Sequence, residues 1–413
     1  MNAICVVIDG LHLGMLGCYG NDWTATPAID RLACEGFVFD QALIDGPALS
    51  DFYRAVWQGR HGLAPPVGQP PARTLPRQLR EAGIATALWT DEPRLARLPG
   101  WEDFDAAEQL DFELPSAPAD EWELTASAQL FAAAAEGIAT LRPPFLLWLH
   151  CRGPAGIWDA PLEMRQAFAE EADVAPYAGS APQRVVLGED HDPDVALSVR
   201  WSYAAEAAVV DRCLEAFAAA IAAAGLAGTT LLSVQGCRGF HLGEHRLIGP
   251  PDASPRLHEE LIHVPWLLRL PNELGPGRSQ ALVQPVDLAA TLLDAFGLPA
   301  NGASVLSVVR GERETIRDRA CLASPGERGL RTAAWYLRWR DAGDSGASST
   351  PASDATSHLY SKPDDRWEVN DVANRLPDLV DPLRRAFDDY GRHLAEPSAP
   401  LPPLEEVLLA EPA

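Results

Sequence analysis

Lysine is almost missing from this chain: 413 residues contain one, Lys362, within Tyr360-Ser361-Lys362-Pro363. An N-terminal site must therefore draw its positive charge from arginine. The seven cysteines are odd in number and scattered, with no CxxC pair and no zinc-ligand spacing, which excludes a disulfide framework and fits reduced thiols in a cytoplasm. No run approaches the ~20 apolar residues of a membrane span. The most apolar helical stretch, 216–228, is dominated by alanine and reads as a packed helix. The N terminus shows neither a basic region before its apolar run nor a small-residue cleavage site, so no secretory leader is expected. Lys+Arg total 33 against 58 Asp+Glu, and the net charge of −25 argues against nucleic acid or an anionic membrane surface as partner. The composition describes an acidic cytoplasmic globule and leaves a protein partner open.

What is present is apolar patterning in an α/β order. Hydrophobic residues make up 47% of the chain, enough for one large domain and a smaller appendage. Ala3 to Ile8 is a continuous apolar run closed by Asp9-Gly10, as in a buried parallel strand that delivers a carboxylate to its C-terminal edge. Thr26-Pro27 followed by Ile29, Leu32 and Gly36 predicts a short helix with Thr26 as cap. Helical periodicity at 74–83, 121–141, 199–225 and 285–297 alternates with strand-like runs at 84–89, 144–150, 229–234 and 263–270. This rhythm predicts a mainly parallel central sheet flanked by helices. The expected main domain is 1–311 with an exposed insertion at 173–193. A small C-terminal α+β subdomain follows at 312–396, containing a loose loop at 341–357 and an amphipathic helix at 376–394. The tail, 397–413, is expected either as a strap or as disordered chain.

Asp9 with Leu16-Gly17-Cys18-Tyr19-Gly20, Ser50 with Arg54, Leu242-Gly243-Glu244-His245 and Leu330-Arg331-Thr332 mark four stretches whose order and spacing resemble the sulfatase family of the alkaline phosphatase superfamily. The first joins Asp9, Leu16-Gly17-Cys18-Tyr19-Gly20 and Thr26-Pro27-Ala28-Ile29-Asp30-Arg31-Leu32. The second, Ser50 to Arg60, lies where sulfatases carry a nucleophilic Cys or Ser followed four residues later by Arg, here Arg54. The third runs from Tyr203-Ala204-Ala205-Glu206 and Val210-Asp211-Arg212 through Leu242-Gly243-Glu244-His245 to Val286-Asp287-Leu288. The fourth joins Leu330-Arg331-Thr332 to Leu359-Tyr360 and Asn370-Asp371.

The resemblance implies a formylglycine made from Cys or Ser, a calcium ion, and lysine and histidine residues around the sulfate. Calcium takes 6–8 oxygen ligands. In the family register Asp9 supplies one, whereas the adjacent second aspartate falls on Gly10 and the later Asp-His-Gly on Cys237-Arg238-Gly239. The pocket lysine falls on Asp91, a histidine on Ala155 and a second lysine near Pro250. Ser50 keeps the nucleophile position, but Phe52 replaces the small residue that the maturing enzymes require, so conversion to formylglycine is not expected.

Two functional classes follow from the resemblance. One is a pseudoenzyme that binds a ligand or partner, with Ser50 and Arg54 as a vestigial nucleophile motif, Asp9 as a vestigial metal ligand, and Cys237, Arg238, His241 and Asp91 lining the cleft. No cofactor is expected in that case. The other is an active sulfuric- or phosphoric-ester hydrolase that uses Ser50 and calcium on a small anionic ester. His241 and His245 are further acid/base candidates, and Cys237, His241, Asp9 and Ser50 together would suit a softer metal such as zinc. A role purely in assembly ranks below both. Losing the ion would leave Asp9 in need of a cation, and Arg238 is expected to supply it through a salt bridge.

Overall fold

The computed structural model describes residues 1–65, 73–169, 174–253, 256–271, 276–340 and 357–410. Contacts divide the chain into two units, each discontinuous in sequence. The first is Met1–Asp40, Thr74–Ala253 and Val264–Arg278; the second is Gln41–Arg73, Ser254–His263 and Ser279–Ala413. This division differs from a single boundary at 311.

The strands of the main sheet and its small neighbour are, in chain order, β1 (Asn2–Asp9), β2 (Phe37–Ala42), β3 (Ala85–Thr90), β4 (Ala106–Gln109), β5 (Phe145–Cys151), β6 (Val185–Val186), β7 (Thr230–Arg238), β8 (His241–Leu242), β9 (Leu247–Gly249), β10 (Trp266–Arg269) and β11 (Gly277–Val283). The main sheet has the order β11-β2-β10-β7-β1-β5-β3-β4. β1 runs parallel to both β5 and β7, and β3 runs parallel to β5 and β4. β10 is antiparallel to β7 and β2, so the sheet is mixed but mostly parallel. Every residue of β1 and β5 is buried, which explains why their sequences are continuous apolar runs rather than alternating ones.

The helices Ala126–Ile138 and Pro193–Ala223 contribute Leu130, Phe131, Val209, Val210 and Phe217 to the core that also holds Ile4, Val6 and Ile8. The long helix starts at Pro193, with Asp192 accepting a hydrogen bond from the Asp194 amide. Its Tyr203 hydroxyl donates to the Gly10 carbonyl (2.6 Å) and accepts from the His12 amide (2.7 Å), pinning the turn that leaves β1. The helix Pro27–Glu35 forms as expected, but Thr26 makes no side-chain cap. Asp211 takes that part, accepting from the Ala28 and Ile29 amides at 3.1 and 2.9 Å.

The stretch 174–193 is exposed from Gly188 to Pro193 and carries a short strand before that. β6 pairs with β9 in a small three-stranded sheet with β8, Leu187 is buried, and the Tyr177 ring meets Trp158 at 5.9 Å. Residue 173 lies outside the described residues.

In the second unit, β12 (Ala320–Ser324), β13 (Glu327–Arg331), β14 (Trp335–Trp339) and β15 (Ser357–Ser361) form an antiparallel sheet in sequential order. The helix Pro377–Ala395 packs Leu379, Leu383, Ala386 and Phe387 against Leu330, Leu337 and Trp339. The loop expected at 341–357 lies, except for Ser357, outside the described residues. Residues 397–410 run as a strap: Leu408 is buried in the same core, and Trp335 Nε1 donates to the Val407 carbonyl at 3.3 Å.

Candidate functional site

Parallel pairing brings the C-terminal ends of β1, β3, β5 and β7 to one edge, where open α/β sheets place their ligands. His150 on β5 stands opposite Val7 on one side and Thr90 on the other. Asp9 is paired with Arg238 across a register shift that follows Ile8.

Asp9 and Arg238 are both buried, with 1% of each side chain exposed, and they form the salt bridge expected from the sequence. Arg238 Nε donates to Asp9 Oδ1 at 2.9 Å and Nη2 donates to Oδ2, a bidentate clasp. The remaining Arg238 nitrogen, Nη1, donates to Asp252 Oδ1 at 2.6 Å. Arg94 Nη1 reaches the other Asp252 oxygen at 2.9 Å. The opposite edge of Arg94 holds Glu92 through Nε to Oε1 and Nη2 to Oε2, both 2.8 Å. Arg152 Nε stands 3.7 Å from Glu92 Oε2. The edge of the sheet is therefore a ladder of alternating charges from Asp9 to Arg152. Asp91, half-buried, accepts from the Arg152 amide at 2.8 Å.

Burial alone would raise the Asp9 carboxyl, but the charge and hydrogen bonds of Arg238 outweigh it, aided by smaller contributions from His150 and Cys237, and hold it below its usual value. Glu92 is lowered the same way: burial opposes, and the hydrogen bonds from Arg94 prevail. Burial lowers His150 to about 4, keeping its ring neutral at pH 7. Burial raises the Cys237 thiol well above its ordinary range, so it stays protonated beside Asp9. Asp91 is raised to about 7 by burial, so the position that the resemblance gives to a lysine holds a carboxyl titrating near neutrality.

Asp9, Glu92 and His150 each offer one possible metal-ligand atom, all within 4.8 Å of one another. The set does not fit calcium. Both oxygens of Asp9 and both of Glu92 already receive guanidinium hydrogen bonds, and the third donor is an imidazole rather than an oxygen. Nor is there room for the missing carboxylate at position 10. Gly10 has φ +73, and a Cβ placed there would lie 2.6 Å from the Ala155 amide nitrogen. A side chain at position 10 would also meet the Ala155 Cβ, at 2.9 Å.

Of the residues singled out in the sequence, Asp9, Cys237 and Arg238 meet at this edge, with Asp91 after β3 bonded to the Arg152 amide. His241 is fully buried in β8. Neither it nor Cys237 belongs to a group of three or more metal-ligating side chains among the described residues. Ser50 and Arg54 lie in the second unit, on the helix Leu49–Gln58. Ser50 is exposed in the first turn, and Arg54 Nη2 pairs with Asp51, three residues earlier. Phe52 is fully buried, edge-on to Tyr53, so the residue that departs from the nucleophile motif is a core anchor.

Sequence reading missed Glu92, Arg94, His150, Arg152 and Asp252. The first four immediately end or follow β3 and β5, and the strand-end rule that located Asp9 points to them as well. Asp252 carries no comparable signal, since it lies in a Pro-rich turn.

The sulfatase family model matches residues 1–298. Mouse steryl-sulfatase is 36% identical over 104 residues, which cover 21% of this chain and 17% of the relative. Human arylsulfatase D is 42% identical over 62 residues, covering 15% and 10%. The chain thus spans less than a fifth of the length of these curated relatives. Among solved structures, a protein in complex with its substrate D-glucosamine-2-N,6-O-disulfate has a TM-score of 0.75 at 17% identity, covering 95% of this chain and 98% of the other. The phosphonate monoester hydrolase of Agrobacterium radiobacter gives 0.73 at 17% identity, covering 95% of both chains. These two likenesses show the shared fold. With a family match over most of its length, the chain belongs to the sulfatase family.

Proposed function

We propose that this sulfatase-family protein has lost or strongly altered its metal-dependent ester hydrolysis and acts as a pseudoenzyme that binds a ligand or partner. The observation that carries this reading is the Asp9–Arg238 clasp, in which a guanidinium stands against the carboxylate that the resemblance assigns to calcium. A fixed cation neutralises Asp9 without supplying what calcium would: a Lewis acid with exchangeable positions for a reacting oxygen. Gly10, closed in by Ala155, and the protonated thiol of Cys237 support the same conclusion. Arg238, Cys237 and Asp91 are the residues assigned to the altered cleft. The ligand class that suits the fold is a small anionic molecule, since relatives of like fold bind a disulfated glucosamine or hydrolyse phosphonate monoesters. Seven free cysteines favour a reducing cytoplasm as its setting. Among the described residues no helix is long and apolar enough to cross a membrane.

The exposed Ser50 hydroxyl keeps the alternative, an active ester hydrolase, open to a direct test. Purified protein is assayed for bound metal and for hydrolysis of aryl sulfate, phosphate and phosphonate esters with added calcium, zinc or manganese. Peptide mass spectrometry reads the state of Ser50. The pseudoenzyme reading expects no stoichiometric metal, an unmodified serine and no turnover beyond that of Ser50→Ala. Metal-dependent turnover abolished by Ser50→Ala would overturn it.

A further inference from the structure

We infer that Arg94 and Arg238 form a binding site for a small oxyanion, and that Asp252 occupies this site as an internal stand-in for the ligand. The inference rests on the reading above, in which guanidinium groups replace the metal, and gives that cleft a ligand chemistry and a means of control.

The two oxygens of Asp252 are received by two different arginines, Arg238 Nη1 at 2.6 Å and Arg94 Nη1 at 2.9 Å. Each arginine is anchored on its other edge by its own carboxylate, Arg238 by Asp9 and Arg94 by Glu92, both of them buried. The two outward nitrogens are therefore held in place independently of Asp252, and the ordering cost of assembling a two-pronged anion site is already met by the fold. Asp252 is held differently. It is 41% exposed and lies on a single turn, Pro251–Ala253, outside the sheet.

Charge leads to the same assignment. The ladder sets Arg238, Arg94 and Arg152 against Asp9, Glu92 and Asp252, and a bound oxyanion can take the place of the Asp252 charge. A carboxylate, a sulfate monoester and a phosphate monoester all present two oxygens to a pair of arginine N–H groups. With Arg94 45% exposed, the site can be reached from solvent. A ligand must compete with a tethered carboxylate at high effective concentration, so Asp252 sets a threshold below which the cleft stays closed to anions. The chain's net charge of −25 raises that threshold by repelling free anions.

The test titrates sodium sulfate, methyl phosphate and acetate into the full-length protein by calorimetry at constant ionic strength, in EDTA. Asp252→Ala is expected to bind at least one of these anions about tenfold or more tightly than the unmutated chain. The double variant Asp252→Ala/Arg94→Gln is expected to lose that gain. A preference for sulfate or methyl phosphate assigns the site to an ester oxyanion, and a preference for acetate assigns it to a carboxylate. The inference is overturned if Asp252→Ala binds no anion more tightly than the parent, or if the gain survives Arg94→Gln. Gain that appears only when calcium replaces EDTA overturns both this inference and the metal-free reading, whereas absence of gain in both media removes the inference alone.

Discussion

Arg238 shows how one side chain satisfies a buried carboxylate at the edge of the sheet. Its charge cannot be titrated away near neutrality, and its planar fork matches both oxygens of Asp9, so the pair is satisfied where a single buried carboxylate would be costly. Removing one partner leaves the other charged and buried. Arg238→Ala is therefore expected to lower stability by roughly 3–5 kcal/mol, read from urea denaturation, with no rescue by added calcium. Arg238→Lys should recover only part of the loss, because an ammonium cannot reproduce the two-pronged contact. A fully stable Arg238→Ala protein would show that the clasp carries no weight. This pair was legible in the sequence because both residues fall on landmarks of the family register. Asp252 was not, because the contact that joins it to the site links positions 94 and 252, and neither composition nor periodicity reports such a pairing.

At the scale of elements, strands with continuous apolar runs, such as β1 and β5, were read correctly because burial on both faces leaves one kind of sequence. β2, whose apolar start ends at the half-buried Asp40, and β11, whose first half is exposed or partly exposed, have no such run and were missed. β7 extends to Arg238, beyond the apolar stretch that marked it, and this extension carries the cation to Asp9. The C-terminal strap is the element whose alternatives the sequence left open. Leu408 is buried, the Leu404 amide donates to Asp318 at 3.2 Å, and the Val407 carbonyl accepts from Trp335. Burying one leucine contributes about 1.5–3 kcal/mol and each hydrogen bond about 1 kcal/mol. A chain ending at Glu396 should therefore melt several degrees below the full chain, with Leu408→Ala in between. Unchanged melting of the shortened chain would mean that the strap adds nothing to the fold.

For the molecule as a whole, the sulfatase fold is kept, and on the reading proposed above an ion ladder and close packing stand at the positions that the resemblance assigns to the metal. A protein that retained a tight calcium site would be stabilised by the ion through mass action, by about 2.7 kcal/mol when the ion is present at a hundred times its dissociation constant. The direct measurement is the melting temperature of the unmutated protein in EDTA and again in millimolar calcium. The arginine-for-metal account predicts the same value in both. A clear rise with calcium, saturating as one ion binds per chain, would contradict it.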